Sequence, residues 1–238
     1  MTSVIFQDWG CNVSYHTAWS NQEKLLKENG NLKFNNRQLL QQNLIPEYLP
    51  KNYFILLEHN PVITLGRSGK INNLITSPEV LSQLGIEFVL SDRGGDITFH
   101  GPGQIVGYPI LDLEQFKTDL GWYVRMLEEV IIETLKEFYI NATRSKGETG
   151  VWLDPQDPHK ARKIAAIGVR CSRWITMHGF AFNVNNKLNY FDHIVPCGIQ
   201  NKKVTSLEKE LSTFIDINLV KTKIICNFEK VFNVQLIN

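Results

Sequence analysis

"GVWLDPQDPHKARKIAAIGVRCSRWITMHGFAFNV", residues 150–184, is the stretch on which the fold class turns. Three runs within it, GVWL (150–153), KIAAIGV (163–169) and ITMHGFAFNV (175–184), are apolar and rich in β-branched or aromatic residues, as strands are. No helical pattern separates them. Strands here follow strands instead of alternating with helices. That order favours an α+β fold, a mixed β-sheet flanked by helices, over a doubly wound parallel sheet.

Working outward, YFILLE (53–58) and VITL (62–65) read as two strands around an HNP turn. SPEVLSQLG (77–85) is a short helix, with Ser77 at its N-cap, Pro78 at its first position and Gly85 ending it. IEFVL (86–90) and QIVGYPI (104–110) are further strands. Residues 119–139 form the strongest helix: Leu120, Val124, Leu127, Ile131, Leu135 and Phe138 recur at three and four. Residues 16–28, VTSLEKELS and 217–234 are also helical. Residues 29–43, NGNLKFNNRQLLQQN, are dominated by Asn and Gln and read as a surface excursion. With no internal repeat and no Pro/Ser linker, residues 1–238 read as one domain. The stretch DRGGDITFHGPGQIVGYPI (92–110) looks too polar for core and too regular for a slack linker.

Apolar residues make up 43% of the 238 and charged residues 21%, enough for a substantial core. The net charge of +1 gives no reason to expect a nucleic-acid or membrane surface. No run approaches the ~18 apolar residues of a membrane span. MTSVIFQDWG lacks a basic region followed by an apolar one, so a cytoplasmic protein is expected. The four cysteines, Cys11, Cys171, Cys197 and Cys226, are too widely spaced for a zinc site and read as reduced thiols.

Some residues could carry chemistry. Cys197 lies between Pro196 and Gly198, a setting that presents a thiol on a tight turn. Taken alone it is better read as a plain turn cysteine. Lys163 opens the apolar run KIAAIGV. It either caps a strand edge or supplies a cation that stabilises a nearby thiolate. His178 and His100 each precede a glycine in a strand-like run, where backbone or ligand comes close. Arg93-Gly94-Gly95 could cradle a phosphate through backbone N–H groups, but neither nucleotide-binding glycine motif is present. A Gly-x-Ser-x-Gly elbow is absent as well.

Together these stretches resemble the lipoyl(octanoyl) transferase family. The resemblance rests on LLEHNPVITLGR (56–67), DRGGDITFHGPGQIVGYPILDL (92–113), GVWL (150–153), KIAAIGVR (163–170), HGFAFNV (178–184) and IVPCGI (194–199), followed by VTSL. The series is specific where any one piece would not be. It implies a fold related to the lipoate-protein and biotin-protein ligases, without metal or nucleotide cofactor. It implies Cys197 as the acyl-thioester nucleophile and Lys163 as its activating partner, with His178 in possible support. It implies an acyl site lined by Arg93, Gly94, Gly95, Asp96, Ile97, Thr98, Phe99 and His100, by Ala166, Ile167 and Gly168, and by Gly179, Phe180 and Ala181. Gly94, Gly95, Gly168 and Gly179 would then let backbone crowd the acyl chain. The donor would be octanoyl-acyl carrier protein; the acceptors would be lipoyl domains of 2-oxoacid dehydrogenase complexes and the glycine cleavage H protein. Phe99 replaces the family's usual tyrosine, and Cys171 its usual small apolar residue, which would bring a second thiol near the site. The rival readings are an ATP-dependent lipoate-protein ligase of the same fold, a papain-like cysteine hydrolase using His178, and a non-catalytic carrier-binding module.

Overall fold

The computed structural model describes residues 1–46, 48–195 and 203–238. Its larger sheet is built from β1 (Thr2–Asp8), β2 (Asn52–Leu57), β6 (Gln104–Ile110), β7 (Thr143–Ser145), β8 (Glu148–Leu153), β9 (Arg162–Ser172), β10 (Ile175–Asn183), β11 (Lys203–Val204) and β12 (Val234–Ile237). The spatial order is β12-β1-β2-β6-β10-β9-β8-β7, with β11 joined to β9. β1 is parallel to β12 and β2, β11 is parallel to β9, and the other pairs are antiparallel. The smaller sheet contains β3 (Val62–Leu65), β4 (Glu87–Leu90) and β5 (Ile97–His100), in the order β4-β3-β5. The expected mixed sheet is therefore present, and residues 150–184 supply three consecutive antiparallel strands of it.

Period-two alternation along β2 explains the layers. Phe54 and Leu56 face one core; Ile55 and Leu57 face another. The first core is closed by α3 (Leu120–Lys136) and α5 (Ile217–Phe232), with Tyr123, Leu127, Val220, Ile224 and Phe228 buried. Phe54 and Phe228 stack there with ring centroids 3.9 Å apart. The second core lies under α1 (Tyr15–Gln41), through Ala18 and the flanking Leu25 and Leu26. A third gathers the small sheet, Leu81 of α2 (Pro78–Gln83) and Phe191. α4 (Leu207–Leu211) precedes α5. Among the described residues, no helix is long and apolar enough to cross a membrane.

Two local expectations are corrected, those for residues 29–43 and 92–110, and on the crossing from β2 to β3 the sequence reading was silent. Residues 29–41 are not a surface excursion: they continue α1 to Gln41. Its buried positions Gln22, Asn29 and Lys33 are polar, so the helical stripe has no hydrophobic signature. Each polar group is satisfied instead. The His178 backbone N–H donates to the Gln22 side-chain oxygen, Asn29 exchanges two hydrogen bonds with the Lys51 backbone, and the Lys33 ammonium lies 2.5 Å from Asp112. β2 and β3 do not pair around their turn; the chain passes there from the large sheet to the small one. His59 anchors the crossing, with Nδ1 at 2.9 Å from the Val13 carbonyl and Nε2 at 2.7 Å from the Tyr108 hydroxyl. Much of residues 92–110 is core: Arg93, His100 and Gln104 are all buried.

The β9–β10 hairpin closes through Arg173 and Trp174, at φ of 53° and 65°. Two left-handed residues in a two-residue loop match the twist of the flanking strands. Because neither is Gly or Asn, the turn carried no sequence signal.

Candidate active site

A cavity of about 340 Å³ lies between the large sheet and the small one. β5 and the preceding loop bring Arg93, Gly95, Asp96, Ile97, Thr98 and His100 to it. β9 brings Lys163, Ala166, Ile167 and Gly168; β10 brings His178, Gly179, Phe180 and Ala181. These residues lie far apart in sequence, and hairpin pairing makes them one wall: Gly179 sits opposite Gly168 and Ala181 opposite Ala166.

Gly94 and Phe99 do not line the cavity. The Gly94 N–H donates to the Val169 carbonyl at 2.9 Å, so it holds the loop to β9 and is not offered to a phosphate. The Phe99 ring turns into the third core, stacked on Tyr190 at 4.6 Å. Cys171 packs against the first core and is absent from the cavity lining, so it is not the second thiol of the site. Cys197 lies outside the described residues.

Arg93 is built into the wall. Its guanidinium donates to the Thr64 hydroxyl and carbonyl and to the Gly94 carbonyl. The Lys163 ammonium stands 4.7 Å from the centre of the Trp152 ring, and both residues border the cavity. Gly150, at φ of 121°, makes room for this arrangement: a Cβ there would lie 2.6 Å from the Ala165 carbonyl oxygen and 3.4 Å from Cε of Lys163.

The end of the cavity toward α1 holds an aromatic and histidine cluster that the motifs only partly disclosed. Tyr15 stacks on His100 at 6.1 Å and shares a 2.7 Å hydrogen bond with Ser91. His100 Nδ1 lies 2.8 Å from the Gln104 side-chain oxygen. His178, at φ of 57° inside β10, sets Nε2 2.7 Å from Asp92. Arg170 binds the other oxygen of the same carboxylate. Burial disfavours the charged form of these imidazoles. It brings His59 down to about 4, and it lowers His100 and His178 as well, in the last case against the pull of Asp92. Burial alone would push the Asp92 carboxyl up; the hydrogen bond from His178 and the charges of His178, Arg170 and Arg67 outweigh it and hold the group below its ordinary value. Tyr15, Tyr108 and Asp92 were missed because a lone tyrosine or aspartate carries no local signature.

The sequence matches the family described as the lipoyl protein ligase A/B catalytic domain over residues 14–229. It is 50% identical over 236 residues to an octanoyltransferase of Flavobacterium psychrophilum, covering 99% of each chain. An octanoyltransferase of Christiangramia forsetii is 51% identical over 223 residues, 93% of each chain. Among solved structures, a bi-partite lipoate protein ligase from Thermoplasma acidophilum superposes with a TM-score of 0.65 at 13% identity, covering 100% of this chain and 88% of the other. A lipoate-protein ligase A bound with ATP gives 0.66 at 11% identity, covering 100% and 90%. At such identities the structures speak for the fold alone.

Proposed function

Because this chain belongs to the lipoyl protein ligase A/B catalytic domain family and is an acyltransferase, we propose that it moves an octanoyl group from octanoyl-acyl carrier protein to a lysine of a lipoyl domain, in the cytosol. The acceptors are the lipoyl domains of 2-oxoacid dehydrogenase complexes and the glycine cleavage H protein. The group travels on Cys197. In the first half-reaction the Cys197 thiolate attacks the octanoyl carbonyl, the new C–S bond forms, and the carrier thiol leaves. In the second, the acceptor amine attacks that thioester, an amide forms, a proton is lost and Cys197 is released. An amide is more stable than a thioester, so the sequence runs downhill without nucleotide.

The observation that carries this reading is the position of Lys163. It borders a cavity whose middle is apolar, with Ile97, Ile167, Phe180 and Ala181 as walls. The described chain leaves Val195, whose N–H donates to the Asn73 carbonyl at 2.7 Å. It resumes at Lys203 and Val204, which pair with Arg162 and Lys163. Cys197 falls in the short span between. A lysine in reach of that thiol would favour the thiolate, since a free cysteine of pKa ~8.5 is only a few per cent ionised at neutral pH.

The test combines mass and reactivity. Incubation with octanoyl-carrier adds one hydroxylamine-labile octanoyl group, which Cys197→Ser abolishes. Lys163→Met keeps the apolar stem, slows iodoacetamide alkylation near neutral pH, and loses that handicap as pH rises. Lys163→Arg retains more of the alkylation rate than of single-turnover transfer, because arginine does not give up its proton. An adduct on Cys171, or superimposable alkylation profiles for the three proteins, overturns the assignment.

A further inference from the structure

β11 is two residues long and pairs with β9 alone, Lys203 beside Arg162 and Val204 beside Lys163. So short a ladder holds little by itself. Its anchor is the next residue. Thr205 is wholly buried and bonded on three sides. Its N–H donates to the Lys163 carbonyl at 3.0 Å, its hydroxyl donates to Glu210 at 2.5 Å, and its carbonyl accepts from Asn183 Nδ2 at 3.0 Å. Glu210 in turn binds Arg162 through both oxygens, each at 2.6 Å. Two of the three ties thus lead to β9. The third comes from the end of β10, and Asn183 borders the cavity.

Asparagine is a poor strand residue, and burying its amide costs free energy unless donor and acceptor are both met. Here both are met. Gln104, its cross-strand partner on β6, donates to Asn183 Oδ1 at 2.9 Å and to the Phe99 carbonyl at 3.1 Å. These two acceptors fix which end of the Gln104 amide is nitrogen. Its oxygen therefore faces His100 Nδ1, which carries the hydrogen. The bonds run one way, from His100 to Gln104 to Asn183 to Thr205. Reversing any one of them sets two donors or two acceptors face to face. His100, Gln104 and Asn183 all line the cavity, so the wall of the cavity and the anchor of β11 are one hydrogen-bonded unit.

We infer that Asn183 is a positioning residue for the transfer reaction: its amide ties the cavity wall to Thr205 and so fixes β11 against Lys163. The inference rests on the pairing of Cys197 with Lys163 for the use of that placement, since Cys197 falls in the span that ends at β11. It goes beyond that pairing by naming the side chain that holds the strand beside the lysine.

Asn183→Leu keeps size and branching and removes both hydrogen bonds. Backbone amide exchange of residues 203–206, read by mass spectrometry, quickens about tenfold, the scale of one buried hydrogen bond. Alkylation of Cys197 by iodoacetamide, followed on its own peptide from about pH 6 to 9, shifts toward the free-thiol value of ~8.5. Combined with Lys163→Met, the leucine shifts that profile no further than Lys163→Met alone. Asn227→Leu is the control for a merely structural loss. Asn227 is also buried, but its amide binds Glu137 and the Lys223 carbonyl; its replacement lowers Tm and leaves both readouts at wild-type values. Wild-type exchange in Asn183→Leu overturns the assignment. So does faster exchange with an unmoved alkylation profile, where Lys163→Met does move it. If Lys163→Met leaves the profile unmoved, the thiolate reading fails instead, and the anchor of β11 stands or falls on exchange. Asn183→Asp keeps the shape and the bond from Gln104 and loses only the donor to Thr205; it carries the exchange test if the leucine variant does not fold.

Discussion

Adding one methyl group at Gly179 separates two accounts of why a glycine stands there. Small residues at Gly94, Gly95, Gly168 and Gly179 were expected to crowd an acyl chain. The structure gives Gly179 a different duty. A Cβ on it would lie 2.1 Å from the Gly107 carbonyl oxygen and 2.8 Å from Cδ of Pro109. Ordinary contact begins at 3.4 Å, so the gap must open by 3.4 − 2.1 = 1.3 Å. The obstacle is backbone of β6, which pairs with β10 directly beyond this point, from Phe180 opposite Gly107 to Asn183 opposite Gln104. Neither strand can yield without disturbing that ladder. Overpacking of this kind costs about 3 kcal/mol, the upper part of the usual range. At roughly 2–4 °C per kcal/mol for a chain of this size, Gly179→Ala lowers Tm by about 6–12 °C. Calorimetry measures the shift, and transfer of C6 to C12 acyl groups well below the variant's Tm measures selection. Chain-length preference stays as in the wild type. A Tm within about 2 °C of wild type together with a shortened acyl preference would refute the reasoning, for it would mean that the methyl points into the cavity.

Two further outcomes follow from buried polar groups. His59 titrates at about 4 in the folded protein and near 6.5 when unfolded, so between those values the unfolded chain binds more protons. Its contribution is complete above pH 6.5 and is lost as pH falls toward 4, about 3.5 kcal/mol in all at ~1.4 kcal/mol per pH unit; urea midpoints read across that window fall less steeply in His59→Gln, and parallel curves would remove His59 from the acid response. Lys33→Met strands Asp112, whose side chain is 4% exposed, and costs about 3–5 kcal/mol; adding Asp112→Asn restores part of the loss, and strictly additive effects in that double-mutant cycle would deny the pair any coupling.

The identity of the elements was largely legible because their signals are local. Alternation or apolar runs marked β2, β3, β4, β6, β9 and β10, and three-and-four spacing marked α3. The serine-proline start of α2 was legible for the same reason: the Ser77 hydroxyl accepts the Val80 N–H at the position its residue type predicts. Lys163, His100, His178 and the two glycine-containing runs could be singled out because each breaks the pattern around it. What was not legible depends on partners distant in the chain. The second half of α1 buries Asn29 and Lys33, and Lys51, Asp112, Glu114 and Arg173 satisfy them from outside the helix. β12 pairs with β1 across nearly the whole sequence, and β2 parts from β3 because each finds a better neighbour in another sheet. In the site, the sequence alone supplied residue types: a lysine, several histidines, an arginine between polar and glycine neighbours. Tertiary structure decided what each does. It turned Phe99 out of the cavity, set Gly179 against Gly107, and joined His178 to Asp92 across 86 residues. A strand's period says that a side chain faces one side or the other, but which neighbour waits there is set by register, and register is fixed only when the whole sheet is assembled.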